Sequence, residues 1–143
     1  MITLSGEARE VALAEVQAVH AVAQGGKYAD LVGEVDAGEI VDVDSLESVL
    51  ELGLQSGRIR ALYGPGGEQA ATATLRRLPR GRERAESADG VNAALQALVG
   101  RTLDGFSLTA VGPGAFVVSV DAGGVSTAIR LDRSGARITS VGT

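Results

Sequence analysis

From Thr102 onwards, the chain alternates apolar and polar residues with a period of two. Four such runs follow one another, separated by short glycine-containing segments at residues 112–114, 121–124 and 132–135. Alternation of this kind is typical of strands with one buried face, and short loops join antiparallel neighbours. The sequence therefore predicts a four-stranded antiparallel meander over residues 102–143.

The preceding part of the chain has apolar residues spaced by three and four, which is the periodicity of amphipathic helices. In the third of these segments Asp44 and Glu47 have the spacing of a capping box, which predicts an N-cap at Asp44. Gly38, Gly57 and Gly100 follow helical runs and predict their ends. About five helices are expected within residues 5–100, over 7–24, 28–37, 44–57, 68–78 and 90–99, the last also being compatible with a start near Glu83.

Residues 58–63 fit either a short strand or a continued helix, because six residues are too few for periodicity to decide. The alternation of Arg58 and Arg60 with Ile59 favours a strand, which would be the fifth. Gly64, Pro65, Gly66 and Gly67 then predict a tight turn into the next helix. The loop also invites a comparison with phosphate cradles, since helix N-termini bind anions. It lacks the Lys-Ser/Thr of a P-loop and the spacing of a dinucleotide-binding loop, so we favour the turn.

Together these elements predict an α+β fold, with about five N-terminal helices packed on the C-terminal meander. A chain of 143 residues suits a single domain, which we expect to span residues 1–143. The order of helices followed by a curled meander resembles the cone-shaped folds of the nuclear-transport-factor-like superfamily. The resemblance covers the element order and residues 102–143, and it implies a pocket between the sheet and the helices.

Composition narrows the chemistry of the chain. Cysteine is absent, which excludes disulfides, thiol nucleophiles and cysteine-based metal sites. With His20 as the single histidine, we predict no metal site and no cofactor. No apolar run approaches the roughly 20 residues that span a bilayer, and no signal peptide is recognisable, so we expect a cytoplasmic protein without a membrane partner. Twelve arginines against one lysine, in an Ala- and Gly-rich chain, indicate a GC-rich bacterial genome.

The net charge of −5 conceals a strong asymmetry along the chain. Residues 1–57 carry eleven acidic side chains against Arg9 and Lys27, whereas residues 58–84 carry seven arginines against Glu68 and Glu83. The simplest interpretation is that the acidic and basic segments face each other, either within the fold or across a dimer.

Two residues of the first helix are the weak candidates for acid–base catalysis. Glu15 falls within the apolar arc of the helical wheel, where a buried carboxylate would have a raised pKa. The favoured alternative is that this Ala-rich face is shallow and that Glu15 reaches water at its edge. His20 lies about 140° from Glu15 on the wheel, so the two do not form a dyad on this helix. We interpret His20 as a partly exposed structural residue.

A basic run is the candidate binding surface for nucleic acid, since clustered arginines contact phosphates. Against this, no aromatic residue lies between Tyr63 and Phe106 to stack on bases, and the chain is acidic overall. We therefore favour pairing of these arginines with the acidic segment of the same chain. The basic run comprises Arg58, Arg60, Arg76, Arg77, Arg80, Arg82 and Arg84.

Three functional hypotheses follow. The first is a non-catalytic interaction or assembly module that binds a protein partner or itself through acidic and basic surfaces. The second is a small-ligand-binding or isomerase-like protein with a cone-fold pocket, in which Glu15 or His20 acts as the acid or base. The third is a nucleic-acid binder that uses residues 76–84. We favour the first because no catalytic motif is present.

Overall fold

The computed structural model describes residues 1–142. Within them, five helices precede a four-stranded antiparallel sheet, which confirms the α+β fold. The helices are α1 (Gly6–Val22), α2 (Ala29–Ala37), α3 (Val43–Gln55), α4 (Arg58–Leu75) and α5 (Pro79–Gln96). The strands of the sheet are β3 (Leu103–Gly112), β4 (Ala115–Ala122), β5 (Val125–Asp132) and β6 (Gly135–Gly142); two shorter strands, β1 (Ile2–Thr3) and β2 (Glu39–Ile40), pair antiparallel near the N-terminus.

The chain divides into two compact units, residues 1–82 and 83–143. The boundary falls inside α5, well before the position near residue 100 at which the sequence changes its periodicity. The expectation that both units belong to a single domain stays a prediction.

The first unit is organised around an aliphatic core. The apolar faces of α1 to α4 supply most of this core, and Ile40 of β2 joins them. Gly38 ends α2 in the left-handed conformation, as predicted, and a Cβ at this position would lie 2.8 Å from the Leu4 carbonyl oxygen. The largest fully buried aliphatic members are Val16, Leu31, Val35, Ile40, Leu46, Leu50, Ile59 and Leu78.

The prediction of a strand over residues 58–63 is wrong, since this stretch is the first part of α4. Ile59 is buried in the core and Tyr63, four residues later, packs against the same core, which is the spacing of a helical face. The predicted turn is also shorter than expected. Within α4 only Gly64 leaves the helical conformation, with φ 69° and ψ −171°, and Pro65 then begins a second helical segment.

The N-terminus of α3 also differs from its prediction. The N-cap is Asp42, whose carboxylate accepts a hydrogen bond from the Ser45 amide at 3.2 Å. Asp44 lies in the first turn instead, and Glu47 is fully buried rather than part of a capping box. The prediction of an N-cap at Asp44 is therefore wrong, and the cap lies two residues earlier.

The second unit contains the rest of α5 and the meander, whose strands follow the order β3-β4-β5-β6. The strand register aligns twelve residues in three rows of four on one side of the sheet. We call this side the apolar sheet face, because eleven of the twelve are apolar and none is charged. Its rows are Phe106, Val120, Thr127 and Val141; Leu108, Val118, Ile129 and Ile138; and Ala110, Phe116, Leu131 and Ala136.

Candidate functional site

A cavity of about 340 Å³ lies within the first unit, between α1, α3 and the start of α4. Its walls are mainly aliphatic, and its polar groups are a carboxylate, a hydroxyl and a guanidinium. Cavities of this size with few polar groups are typical of sites for small ligands. The lining residues are Glu15, Ala18, Val19, Val22, Val49, Leu52, Gly53, Ser56 and Arg58.

Glu15 lies in the wall of this cavity and is only 2% exposed. The expectation that it reaches water at the helix edge is therefore wrong. Burial of a carboxylate is tolerated when a partner supplies charge and hydrogen bonds. Arg58, 43 residues away in sequence, supplies both, since its Nε lies 3.1 Å from Glu15 Oε1. The small-ligand hypothesis expected Glu15 to have few charged neighbours, and Arg58 is one such neighbour.

Tyr63 joins the same cluster from the next turn of α4. Burial raises the pKa of Tyr63, and the charge and hydrogen bonding of Glu15 raise it further, against an opposing effect of Arg58. Gly53 permits the close approach of α3, because a Cβ there would lie 2.7 Å from Ile59 Cδ1 and 3.2 Å from Glu15 Oε2. Sequence reasoning missed the role of Tyr63.

His20 does not line the cavity. It lies half-buried in the last turn of α1, and its Nδ1 is buried without a hydrogen-bond partner in the described part of the chain. The two sequence candidates for acid–base chemistry are thus on one helix but not in one cavity. This agrees with their separation on the helical wheel.

The arginines of the basic run are not one uniform surface. Arg58 pairs with Glu15, Arg60 with Glu68 at 3.2 Å, and Arg80 Nε with Glu51 at 3.0 Å. Arg80 also lies 3.6 Å from Glu47, so it does pair with the acidic segment.

The remaining four arginines of the run have other environments. Arg76 and Arg77 are exposed, and Arg82 donates a hydrogen bond to the Arg77 carbonyl oxygen. Arg84 packs beside Gly135 of β6. Nucleic-acid binding stays a prediction, now without Arg80 as a free contact.

The Gly64–Gly67 segment, considered above as a phosphate cradle, has a carboxylate beside it. A Cβ on Gly66 would lie 3.3 Å from Glu7 Oε1, so a negative side chain already occupies the neighbourhood of this helix start. The Glu7 carboxylate therefore lies near the positive end of the helix dipole of this second segment, where a negative charge is favourable. This geometry supports a structural role for the segment.

Most of the large apolar side chains that are exposed in the second unit lie on the apolar sheet face. Phe106 is 66% exposed and Leu108 61%, and Phe116, Leu131 and Val141 of the same face are exposed as well. Ile129 and Thr127, on the central strand β5, are buried. Monomeric proteins rarely expose contiguous apolar patches of more than a few hundred Å² unless these have a binding role.

Among residues 1–142, no group of three or more His, Asp or Glu side chains has an arrangement that could hold a metal ion. In the same range, no helix is long and apolar enough to cross a membrane. Comparison with models of known families, with curated proteins and with solved structures finds no match. The resemblance to cone-shaped folds therefore gains no support, and function must be inferred from the sites themselves.

Proposed function

We propose that this chain is a non-catalytic assembly module that self-associates through the apolar sheet face of a second copy. The observation that carries the proposal is the set of exposed side chains on that face, led by Phe106 and Leu108. Burying such side chains is favourable by roughly 25 cal/mol per Å² of apolar surface.

The size of the face supports an interface. Four strands about 4.8 Å apart, with about eight residues of 3.3 Å rise each, span on the order of 500 Å² in projection. Side-chain relief increases the accessible area, and a standard interface buries about 800 Å² per partner. Thr127 and Ile129 of this face are already buried, so its exposed part supplies a portion of the area that a stable dimer needs.

The chemistry of the face favours a second copy as the occupant. The face carries no charge in its three rows, so its partner must present an apolar surface of similar extent. A two-fold axis would supply that surface by pairing the face with itself, and sheets commonly pack face to face about 10 Å apart.

The acidic and basic surfaces have a secondary place in this proposal. Arg58 and Arg80 already pair with Glu15, Glu47 and Glu51 of their own chain, which leaves fewer charges for a contact between copies. The proposed setting is a bacterial cell, since the excess of arginine over lysine indicates a GC-rich genome.

The test is the molar mass in solution, by light scattering over a concentration series. We expect a dimer that persists in 1 M salt, because apolar contacts are not screened. Leu108→Lys should yield a monomer, whereas Thr109→Lys, which modifies the neighbouring exposed position on the opposite side of β3, should remain dimeric.

A monomer at all concentrations would overturn the proposal and indicate that another surface covers the face. A dimer that dissociates in high salt would also overturn it, in favour of association through charged surfaces. Equal effects of the two lysine variants would remove the apolar sheet face from the interface.

A further inference from the structure

The cavity between α1, α3 and α4 has the composition of a site for an amphipathic ligand. Val19, Val22, Val49 and Leu52 provide aliphatic walls, and Arg58 provides the one cation among the nine lining residues, all of which lie in the described range. Ligand sites combine such walls with a few placed polar groups that fix orientation. The arrangement suits a molecule with an apolar tail and a single polar head.

The Glu15–Arg58 ion pair in the wall determines which polar head group of a ligand the cavity can bind. The Glu15 side chain is 3% exposed, and Arg58 Nε already binds one of its oxygens. The Arg58 side chain is 48% exposed, and a guanidinium has five N–H donors, of which the Nε–H is the one given to Glu15. Its terminal nitrogens match the paired oxygens of a carboxylate, which planar arginine binds in bidentate fashion.

We infer that this cavity binds a small aliphatic carboxylate, with its tail among Val19, Val49 and Leu52 and its head on Arg58. Glu15 is a positioning residue, because it holds the Nε side of the guanidinium, and Tyr63, which also interacts with Arg58, borders the same group. This site goes beyond the proposed assembly function and lies in the other unit of the chain.

The first experiment is titration calorimetry of the full chain with sodium octanoate, octanol and octylammonium chloride. Octanoate should bind at least tenfold more tightly than octanol, and octylammonium should bind most weakly. Because a buried CH₂ is worth about fourfold in affinity, hexanoate should bind roughly fifteenfold more weakly than octanoate.

Variants of the lining locate the binding. Ala18→Leu places extra volume in the cavity and should weaken octanoate at least tenfold. Val22 lines the cavity and is 82% exposed, so charges are introduced there without disturbing the core. Val22→Lys should tighten octanoate about twofold to threefold at low salt, and Val22→Glu should weaken it by a similar factor. The same pair of changes at exposed Val41, which does not line the cavity, should have no effect.

The head-group assignment has its own test. Arg58→Gln alone leaves Glu15 buried without its cation, so the variant to use is the double change Glu15→Gln with Arg58→Gln, checked for folding by circular dichroism. It should bind octanoate and octanol equally. The inference is overturned if the folded parent protein shows no octanoate binding at 10 mM, if it binds octanol as well as octanoate, or if the Val22 pair behaves like the Val41 pair.

Discussion

Gly81 donates its backbone N–H to Glu47 Oε2 at 2.8 Å, although 34 residues separate the two. The neighbouring Arg80 amide donates to the other carboxylate oxygen at 3.2 Å. Pro79 opens α5 without an N–H of its own, and the next amides of a helix have no acceptor within it. Glu47 of α3 therefore caps α5 from a different helix, at the end where the helix dipole favours negative charge.

We expect Glu47→Ala to lower the free energy of unfolding by about 3 kcal/mol, because two hydrogen bonds to a buried charged group are lost and two amides are left unpaired. Glu47→Gln should lower it by less, since the amide oxygen still accepts one bond. Chemical denaturation followed by far-UV circular dichroism measures both.

Glu39→Ala is the matched control, because Glu39 is exposed and its loss should change the free energy of unfolding by less than about 0.5 kcal/mol. If Glu47→Ala were as stable as this control, the cap would have no energetic importance.

Two glycines of α5 should respond in opposite directions to alanine. A Cβ on Gly81 would lie 1.9 Å from the Leu75 carbonyl oxygen, which no local adjustment relieves, so Gly81→Ala should cost about 3 kcal/mol. A Cβ on Gly90 would meet nothing within 4 Å, and Gly90→Ala should stabilise the helix by about 0.5–1 kcal/mol. Thermal unfolding of the two variants tests the pair, and a shift of the same sign in both would contradict the steric argument.

The sequence was most informative where structure depends on local pattern. The meander has a strict period of two and glycine-rich turns, and its four strands formed as predicted. The helices α1 to α3 also have clear apolar faces, and Gly38 ends α2 as its position indicated. In such segments the residues that set the element are neighbours along the chain.

The errors in prediction arose where residues distant in sequence determine the local structure. Arg58 and Arg60 alternate with Ile59 as polar and apolar residues do in a strand. Ile59 is instead buried against the other helices, and the stretch is helical. The partner of Glu15 was beyond local reasoning, since any arginine of the basic run could have neutralised it. Its position within the apolar arc was nevertheless a usable signal, because a carboxylate there must be either paired or solvated.

Tyr63 should titrate above the usual tyrosine pKa of 10.0, because burial and Glu15 both disfavour its ionised form. The resulting contribution to stability is complete below pH 10 and is lost as the pH rises through the raised pKa. Ultraviolet absorbance titration, with Tyr63→Phe subtracted to isolate the residue, should show this. Glu15→Gln should lower the pKa towards 10, and an unchanged titration in that variant would remove Glu15 as a cause.

Asp132, at the end of β5, should remain ionised well below the ordinary aspartate pKa of 3.8. Its carboxylate accepts hydrogen bonds from the Ser134 hydroxyl and from Arg130 Nε at 3.0 Å, and Arg137 lies 3.1 Å away. These partners lower the pKa of Asp132, Ser134 most strongly. Because the folded-state pKa is lowered, the stabilisation is present above pH 3.8 and is lost as the pH falls through the lowered pKa.

An NMR titration of the Asp132 carboxyl carbon measures this directly. Ser134→Ala should raise the midpoint towards 3.8, whereas Ser140→Ala on the neighbouring strand should leave it unchanged. A midpoint at or above 3.8 in the parent protein would show that this turn does not hold its charge cluster in solution.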